Sequence, residues 1–327
     1  MPRPSTQPLR AAVIGVGHLG RWHATKYAQL DGVDLVAVVD TDFDRATEVA
    51  DECDCDAFSD LDDILGRVDC VSIASPTTTH FEFAKRLLEN DVHVLVEKPI
   101  TVSTSEAREL IDLAAARRRV LQVGHIERFN AAFRGYDQFV ARPRFIESHR
   151  LAPFTHRGAD VSVVLDLMIH DIDLIMAVVN DDISEIRASG AAVITGGIDI
   201  ANARIEFAGG CVANVTASRV SEHVARKLRI FQEHEYISID FHKRQRRRHL
   251  LQPDASAPMG LQMSQETEVF SDHDALLVEI AAFVAAVRGD APVVVDGVAG
   301  LRALEVAARI TDCLQGNLAV MRPPMTH

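Results

Sequence analysis

Residues Leu9 to Asp40 constrain the fold more tightly than any other stretch. Leu9 to Ile14 is a short apolar strand, Gly15-Val16-Gly17-His18-Leu19-Gly20 follows at once, and a helical run continues to Leu30. The spacing is GxGxxG between a strand and a helix. Glycine at 15 permits the tight turn, glycine at 17 lets backbone amides approach a pyrophosphate, and glycine at 20 lets helix and strand pack closely. The helix N-terminus, with His18 and Leu19, then faces the anion. The next strand, Val33 to Val39, ends at Asp40, twenty residues after Gly20. A carboxylate there accepts the ribose hydroxyls of an adenosine and repels a 2′-phosphate, so the expected cofactor is NAD and not NADP. Arg45 is the nearby residue that could rescue NADP. The competing interpretation is a glycine-rich turn with a surface aspartate, and the combined context weighs against it.

Strand and helix then alternate, as in a doubly wound parallel sheet. Phe43 to Glu52 and Asp60 to Gly66 read as helices, and Val68 to Ala74 as a buried strand ending in Ser75-Pro76-Thr77-Thr78-Thr79-His80. Pro76 stops the strand and the hydroxyls suit a cap for the helix Phe81 to Glu89. This turn is expected beside the nicotinamide half of a dinucleotide, with Ser75, Pro76, Thr77 and His80 as contacts. Val92-His93-Val94-Leu95-Val96 is another buried strand, broken by Glu97-Lys98-Pro99. Ligands of open α/β sheets bind at that end of the strands, which makes Glu97 and Lys98 candidates for cofactor contact and Lys98 a candidate for chemistry. A solvated lysine in a loop is the alternative. A helix from Ser103 to Arg118 carries a capping box with Glu106, and the strand Val120 to Val123 leads into the polar run Gly124 to Asn130.

After about residue 143 the pattern changes. Strands are predicted at 144–151, 183–195, 199–207, 211–219, 227–232 and 236–241, with hairpins at Gly209-Gly210 and His234-Glu235. This indicates an antiparallel sheet in an α+β domain. The expected division is therefore a dinucleotide-binding Rossmann domain over 1–124 and an α+β domain over 125–327 for substrate binding and oligomerisation. The basic run Lys243 to His249 reads as a solvated loop interrupting the sheet, with oligomer contacts as the alternative, and helices are predicted at 275–287 and 298–313.

The helix from Val161 to Val179 is apolar around most of its surface, yet Asp166, His170 and Asp173 recur at i, i+4 and i+7. Burying such groups costs several kcal/mol unless they pair or face a polar cavity. A structural Asp-His pair is the plain explanation for one isolated helix. A dinucleotide site in the same chain favours a catalytic one.

Composition narrows the partners. The chain of 327 residues carries a net charge of −13, which opposes nucleic acid and anionic lipid. No stretch approaches membrane-spanning length, and Met1 to Pro8 has no apolar core for a signal peptide. The five cysteines show no paired spacing for zinc, so no metal is expected and a reducing cytoplasm is.

The glycine turn, Glu97-Lys98-Pro99, and Asp166-x-x-x-His170-x-x-Asp173 together make the chain resemble the Gfo/Idh/MocA oxidoreductases of sugars and cyclitols, over nearly its whole length. The resemblance implies a Rossmann domain, a cis peptide before Pro99, and an open antiparallel sheet through which subunits form homodimers or homotetramers. It implies that Lys98 touches the nicotinamide ribose and the reacting hydroxyl, flanked by Asp166 and His170. Oxidising an alcohol needs a base for the hydroxyl proton, and His170 has the right ordinary pKa for it. Lys98 would stabilise the developing alkoxide, and Asp166 would orient its neighbours. Within the family, 124–130, 165–175 and 217–241 look most like members that oxidise the 3-hydroxyl of UDP-N-acetylglucosamine for lipopolysaccharide precursors. Such a substrate requires cations for its diphosphate. Arg128 and Arg157, with Asn130, are the expected substrate contacts, and Arg219, Arg226 and Lys227 lie in segments that could add charge. An inositol or hexose dehydrogenase and a dinucleotide-sensing regulator are the alternatives.

Overall fold

A computed structural model describes residues 7–155, 161–253, 261–271 and 274–321. Two compact units emerge, one comprising 1–129 with 274–301 and the other 130–273 with 302–327. A single cut after residue 124 misses this return of the chain. The helix Ala275–Arg288 places Leu276, Ile280, Phe283 and Val284 in the same core cluster as Ala11, Val13, Tyr27, Leu35 and Leu95.

The first unit runs β1 (Leu9–Ile14), α1 (His18–Ala28), β2 (Val33–Val39), α2 (Phe43–Cys53), β3 (Asp56–Phe58), β4 (Cys70–Ile73), α3 (His80–Glu89), β5 (His93–Glu97), α4 (Thr104–Arg117) and β6 (Leu121–Gly124). The strands order themselves β3-β2-β1-β4-β5-β6, all parallel. This is the doubly wound order, with β1 central and the topological switch between β1 and β4. Strands β1, β4 and β5 are apolar runs because both sheet faces are covered, and Ala11 to Val13, Val71, Ile73 and Val94 to Val96 are fully buried. The capping box at α4 is present, with Ser103 accepting from the Glu106 amide and the Glu106 carboxylate from the Ser103 amide. The short β3 was not anticipated.

The second unit contains β7 (Phe145–Leu151), a π-helical turn (Val164–Met168), α5 (Ile169–Val179), β8 (Ile183–Ala191), β9 (Ile200–Phe207), β10 (Val212–Ser218), β11 (Ala225–Gln232), β12 (Glu235–Asp240), β13 (Gln245–Pro253) and β14 (Leu261–Val269). Two further helices complete the chain, α6 (Ala275–Arg288) in the first unit and α7 (Gly297–Met321), which begins there and continues into the second. The eight strands take the order β14-β13-β12-β11-β7-β10-β9-β8. All ladders are antiparallel except β7 with β10, so the sheet is mixed and not purely antiparallel. Apolar residues on one face of it, including Ala203, Ile205, Val215, Leu228 and Ile230, pack with Ile169, Ile172 and Ile175 of α5 and Ala307 and Ile310 of α7.

The basic run is corrected by the structure: Gln245–Pro253 is a strand, paired on one side to β12 and on the other to β14. Charge complementarity across the ladder accounts for it. Arg246 faces Glu268 at 2.8 Å, and Arg248 bonds Glu235 at 2.5 Å with Glu266 at 3.5 Å. Opposite charges facing each other across strands stabilise a ladder, whereas like charges in one strand give no signal of it. Both hairpins occur where expected, with Gly210 at φ +88° and His234 at φ +61°.

Candidate functional site

The glycine turn joins β1 to α1. Gly15 lies at φ +81°, and a Cβ there would come within 2.6 Å of the Ser75 backbone, so only glycine fits. A Cβ at Gly20 would lie 1.8 Å from the Gly15 carbonyl oxygen, the close helix-to-strand contact expected of that position. Among the described residues a Cβ at Gly17 would meet nothing within 4 Å, leaving open space above the backbone. Gly17 caps α1 without a side-chain hydrogen bond, so the first amides of that helix, at His18 and Leu19, point outward with no capping oxygen. An open glycine above an uncapped helix N-terminus suits a pyrophosphate.

Asp40 follows β2 and is almost buried. Its Oδ2 accepts from the Val16 amide at 2.9 Å and its Oδ1 from the Asp42 amide at 3.0 Å. The Arg45 guanidinium stands 3.4 Å from both oxygens and also bonds Asp42 at 2.9 Å. Val16, Gly17, His18, Arg21, Trp22 and Arg45 line a cleft of about 310 Å³ beside this carboxylate. A carboxylate offers about four acceptor positions, and two amides leave room for ribose hydroxyls. The residues therefore fit the adenosine and pyrophosphate of a dinucleotide.

At the ends of β4 and β5 the main chain is held by side chains. Ser75 Oγ and Thr79 Oγ1 are 2.7 Å apart, and Thr79 also donates to the Pro76 carbonyl at 2.8 Å. The peptide between Lys98 and Pro99 is cis. Lys98 is half-buried, directly after β5. Glu97 and His80, read from sequence as cofactor contacts, are turned inward. Glu97 accepts from the Lys98 amide at 3.2 Å and lies 3.1 Å from Nε2 of His23. His80 sits 2.9 Å from the carbonyl oxygens of both Pro99 and Ser75. Burial is the largest influence on His80 and pulls its pKa below the ordinary value, against those two oxygens. His23 went unnoticed in the sequence; its only signal is an imidazole on the inward face of α1, three residues after Gly20.

In the second unit, the expected helix over 161–179 is not uniformly α-helical. Asp166 lies in the π turn and His170 in the first turn of α5, and both are half-buried. Such π turns often occur at functional sites. Asp173 is buried. The charge that the spacing argument overlooked is Asp171, fully enclosed and bonded by Arg150 of β7 at 2.6 and 3.3 Å.

The remaining candidates divide by what already engages them. Asn130 donates to the Phe241 carbonyl at 3.3 Å and accepts from the Ala132 amide at 3.1 Å, so its amide braces a turn. Arg219 is buried and donates to the Val161 carbonyl. Lys227 stands 3.9 Å from Asp240, Arg226 is exposed and Arg128 is half-buried. Arg157 lies outside the described residues. Among the described residues no cluster of three or more His, Cys, Asp or Glu forms a metal site, and no helix is long and apolar enough to cross a membrane.

A parallel sheet in doubly wound order, with a glycine turn and an acid at the ends of its first two strands, defines a dinucleotide-binding domain. The chain belongs to the Gfo/Idh/MocA oxidoreductase family, whose NAD-binding Rossmann fold matches residues 9–125 and whose C-terminal domain matches residues 115–238. It is 42% identical over 312 residues to UDP-N-acetylglucosamine 3-dehydrogenase of Acidithiobacillus ferrooxidans, covering 95% of this chain and 98% of that one. A solved structure of that A. ferrooxidans enzyme superposes with a TM-score of 0.88 at 40% identity, covering 94% of this chain and 98% of the other. Inositol 2-dehydrogenase of Rubrobacter xylanophilus is 31% identical, over 58% of this chain and 57% of its own. The fold extends to scyllo-inositol dehydrogenase of Lactobacillus casei, solved with NAD(H) and scyllo-inositol, at a TM-score of 0.80 and 20% identity over 95% of this chain and 98% of that one. The protein is thus an NAD-binding oxidoreductase.

Proposed function

We propose that this oxidoreductase converts the 3-hydroxyl of UDP-N-acetylglucosamine to a ketone. The observation that carries the reading is the 42% identity to a UDP-N-acetylglucosamine 3-dehydrogenase across 95% of this chain, against 31% over 58% for an inositol dehydrogenase. NAD, when bound, accepts the hydride released from C3 of the sugar. The hydroxyl proton must leave in the same reaction, and His170 takes it, since histidine exchanges protons near neutral pH. Lys98 holds the oxygen and stabilises its developing negative charge, and Asp166 orients these groups. Gly15, Gly17 and Gly20 with the amides at His18 and Leu19 hold the pyrophosphate, Asp40 the ribose, and Ser75, Pro76 and Thr77 border the nicotinamide. Arg128 and Arg157 are the cations proposed for the diphosphate.

Three features of setting belong to the same reading. All five cysteines are free, in keeping with a reducing cytoplasm. Assembly into a dimer or tetramer through the eight-stranded sheet is part of the same proposal. A 3-keto nucleotide sugar is the carbonyl that an aminotransferase consumes, which suits a supply route to lipopolysaccharide precursors. The test is NADH formation at 340 nm with UDP-N-acetylglucosamine and with myo-inositol, adding an aminotransferase and glutamate to remove the ketone. Turnover with the nucleotide sugar, abolished in Lys98→Ala and in His170→Ala with NADH binding retained, is expected. Turnover with inositol and none with any nucleotide sugar refutes it.

A further inference from the structure

Two buried imidazoles lie on either side of Lys98 without belonging to the proposed reacting set. His23 of α1 is 0% exposed, with Nε2 3.1 Å from Glu97 Oε1 and, among the described residues, no hydrogen-bond partner on Nδ1. The other Glu97 oxygen accepts from the Lys98 amide at 3.2 Å. Gly124 seals the far side of this carboxylate, since a Cβ there would stand 2.7 Å from Oε1. His80 of α3 is 1% exposed and lies between two turns, with Nδ1 2.9 Å from the Pro99 oxygen and Nε2 2.9 Å from the Ser75 oxygen, and as a neutral imidazole it donates to one of these oxygens at a time.

We infer that His23 and His80 are positioning residues that fix the main chain on both sides of Lys98 and tie it to the cofactor-binding turns. His23 acts through Glu97 on the amide that precedes the lysine side chain, and His80 acts on the carbonyl one residue beyond. Each imidazole stands against a segment next to the dinucleotide turn. His23 stands on the helix that starts at that turn, and the Ser75 backbone lies 2.6 Å from the Cβ that Gly15 lacks. A shift of the glycine turn is thereby passed to Lys98. A lysine side chain has four rotatable bonds, and the position of its main chain sets which points the amine can reach. Misplacing a catalytic group by about 1 Å costs on the order of a hundredfold in rate. The inference rests on the role proposed for Lys98.

The experiment compares kcat and the NADH dissociation constant in His23→Ala, His23→Gln, His80→Ala, His80→Asn and His80→Gln, with Lys98→Ala as reference. Glutamine places its donor near Nε2 and asparagine near Nδ1. Positioning predicts that both alanine variants lose about tenfold to a hundredfold in kcat, with NADH affinity within about threefold of the parent. His23→Gln restores most of the loss. A neutral imidazole carries one N–H, which we assign to Nδ1, toward the Pro99 oxygen, so His80→Asn, which keeps that donor, retains more activity than His80→Gln, which places its donor toward Ser75. Hydrogen exchange of the peptide 95–103 in the cofactor-free protein reads the same effect without a substrate, and it rises in the alanine variants while α2 is unchanged. Equal rates in the asparagine and glutamine variants of His80, or unchanged exchange at 95–103, overturn the inference. If the alanine variants do not melt cooperatively, the three amide variants decide by the same two readings. A Lys98→Ala protein that still turns over overturns the role of the lysine itself, whatever the histidines do.

Discussion

The Asp40→Ser substitution tests the cofactor half of the site, and the structure gives its size. The Asp40 side chain is 7% exposed and the Arg45 side chain 45%, with 3.4 Å between the guanidinium and the carboxylate. Unit charges at about 4 Å interact by roughly 4 kcal/mol at an effective dielectric of about 20. A 2′-phosphate in this corner would feel the carboxylate and the guanidinium with opposite signs and similar size. Net charge therefore discriminates weakly, and hydrogen bonding discriminates more: the carboxylate accepts from a ribose hydroxyl but has nothing to offer an ionised phosphate. A hydrogen bond to a charged group contributes about 1.5–3 kcal/mol, or about tenfold to 150-fold in affinity. The expected outcome is an NADH preference of at least about tenfold in the parent, reversed in Asp40→Ser, where NADH weakens and the released Arg45 meets the phosphate. Fluorescence titration with NADH and NADPH measures both constants. Because Arg45 is half-exposed, the NADPH gain should shrink as salt is raised. Adding Arg45→Ala should remove it. Equal dissociation constants in the parent, or an unchanged ratio in Asp40→Ser, would refute the reasoning.

Other expectations follow from the same geometry. Asp171→Ala removes the carboxylate from a guanidinium whose side chain is only 4% exposed, and breaking such a pair costs about 3–5 kcal/mol; urea melts should show that loss, with much of it recovered in Arg150→Met combined with Asp171→Leu. Burial pushes the Asp199 carboxyl up, but the Thr195 hydroxyl and the amides of Ile194, Thr195 and Val193 outweigh it and hold the group well below the usual carboxylate range. A depressed carboxyl contributes stability above its unfolded pKa and loses it as pH falls below that value, so Asp199→Asn should flatten the acid limb of a pH-melting curve below about pH 4. Gly17→Val should melt like the parent yet bind NADH weakly, because the space at Gly17 is open, whereas Gly20→Ala should lower the melting temperature, because its Cβ would strike the Gly15 carbonyl.

The first unit was largely legible from sequence because its signals are local. β1 and β2 have the expected limits, since apolar runs buried on both faces end abruptly at a glycine and an acid. The strand β3 has only three residues, too few for a period to show. The second unit hid two strands for a different reason. β13 alternates no apolar face, and its pairing depends on acids of β12 and β14 that lie elsewhere in the chain. The return of α6 to the first unit was equally invisible, because an apolar helix announces that it is buried but not in which core.

The helix carrying His170 marks the limit of reading chemistry from spacing. Periodicity singled out Asp166, His170 and Asp173 because they recur along an apolar cylinder, and it passed over Asp171, one residue from His170. The structure separates these groups by what encloses them. Asp171 meets Arg150 in a pair with almost no exposed surface, so its charge is closed to substrate and serves to hold α5 against β7. Asp166 and His170 remain half-buried, a state that costs solvation without sealing the groups away. The Arg150 partner of Asp171 sits twenty-one residues upstream on a strand, where no helical period can reach it. The π turn at Val164–Met168 adds a second effect, since it changes the angular step between Asp166 and His170 from that of an ideal α-helix. Spacing can find polar residues on a buried helix; exposure separates an enclosed pair such as Arg150 and Asp171 from groups that stay half-buried.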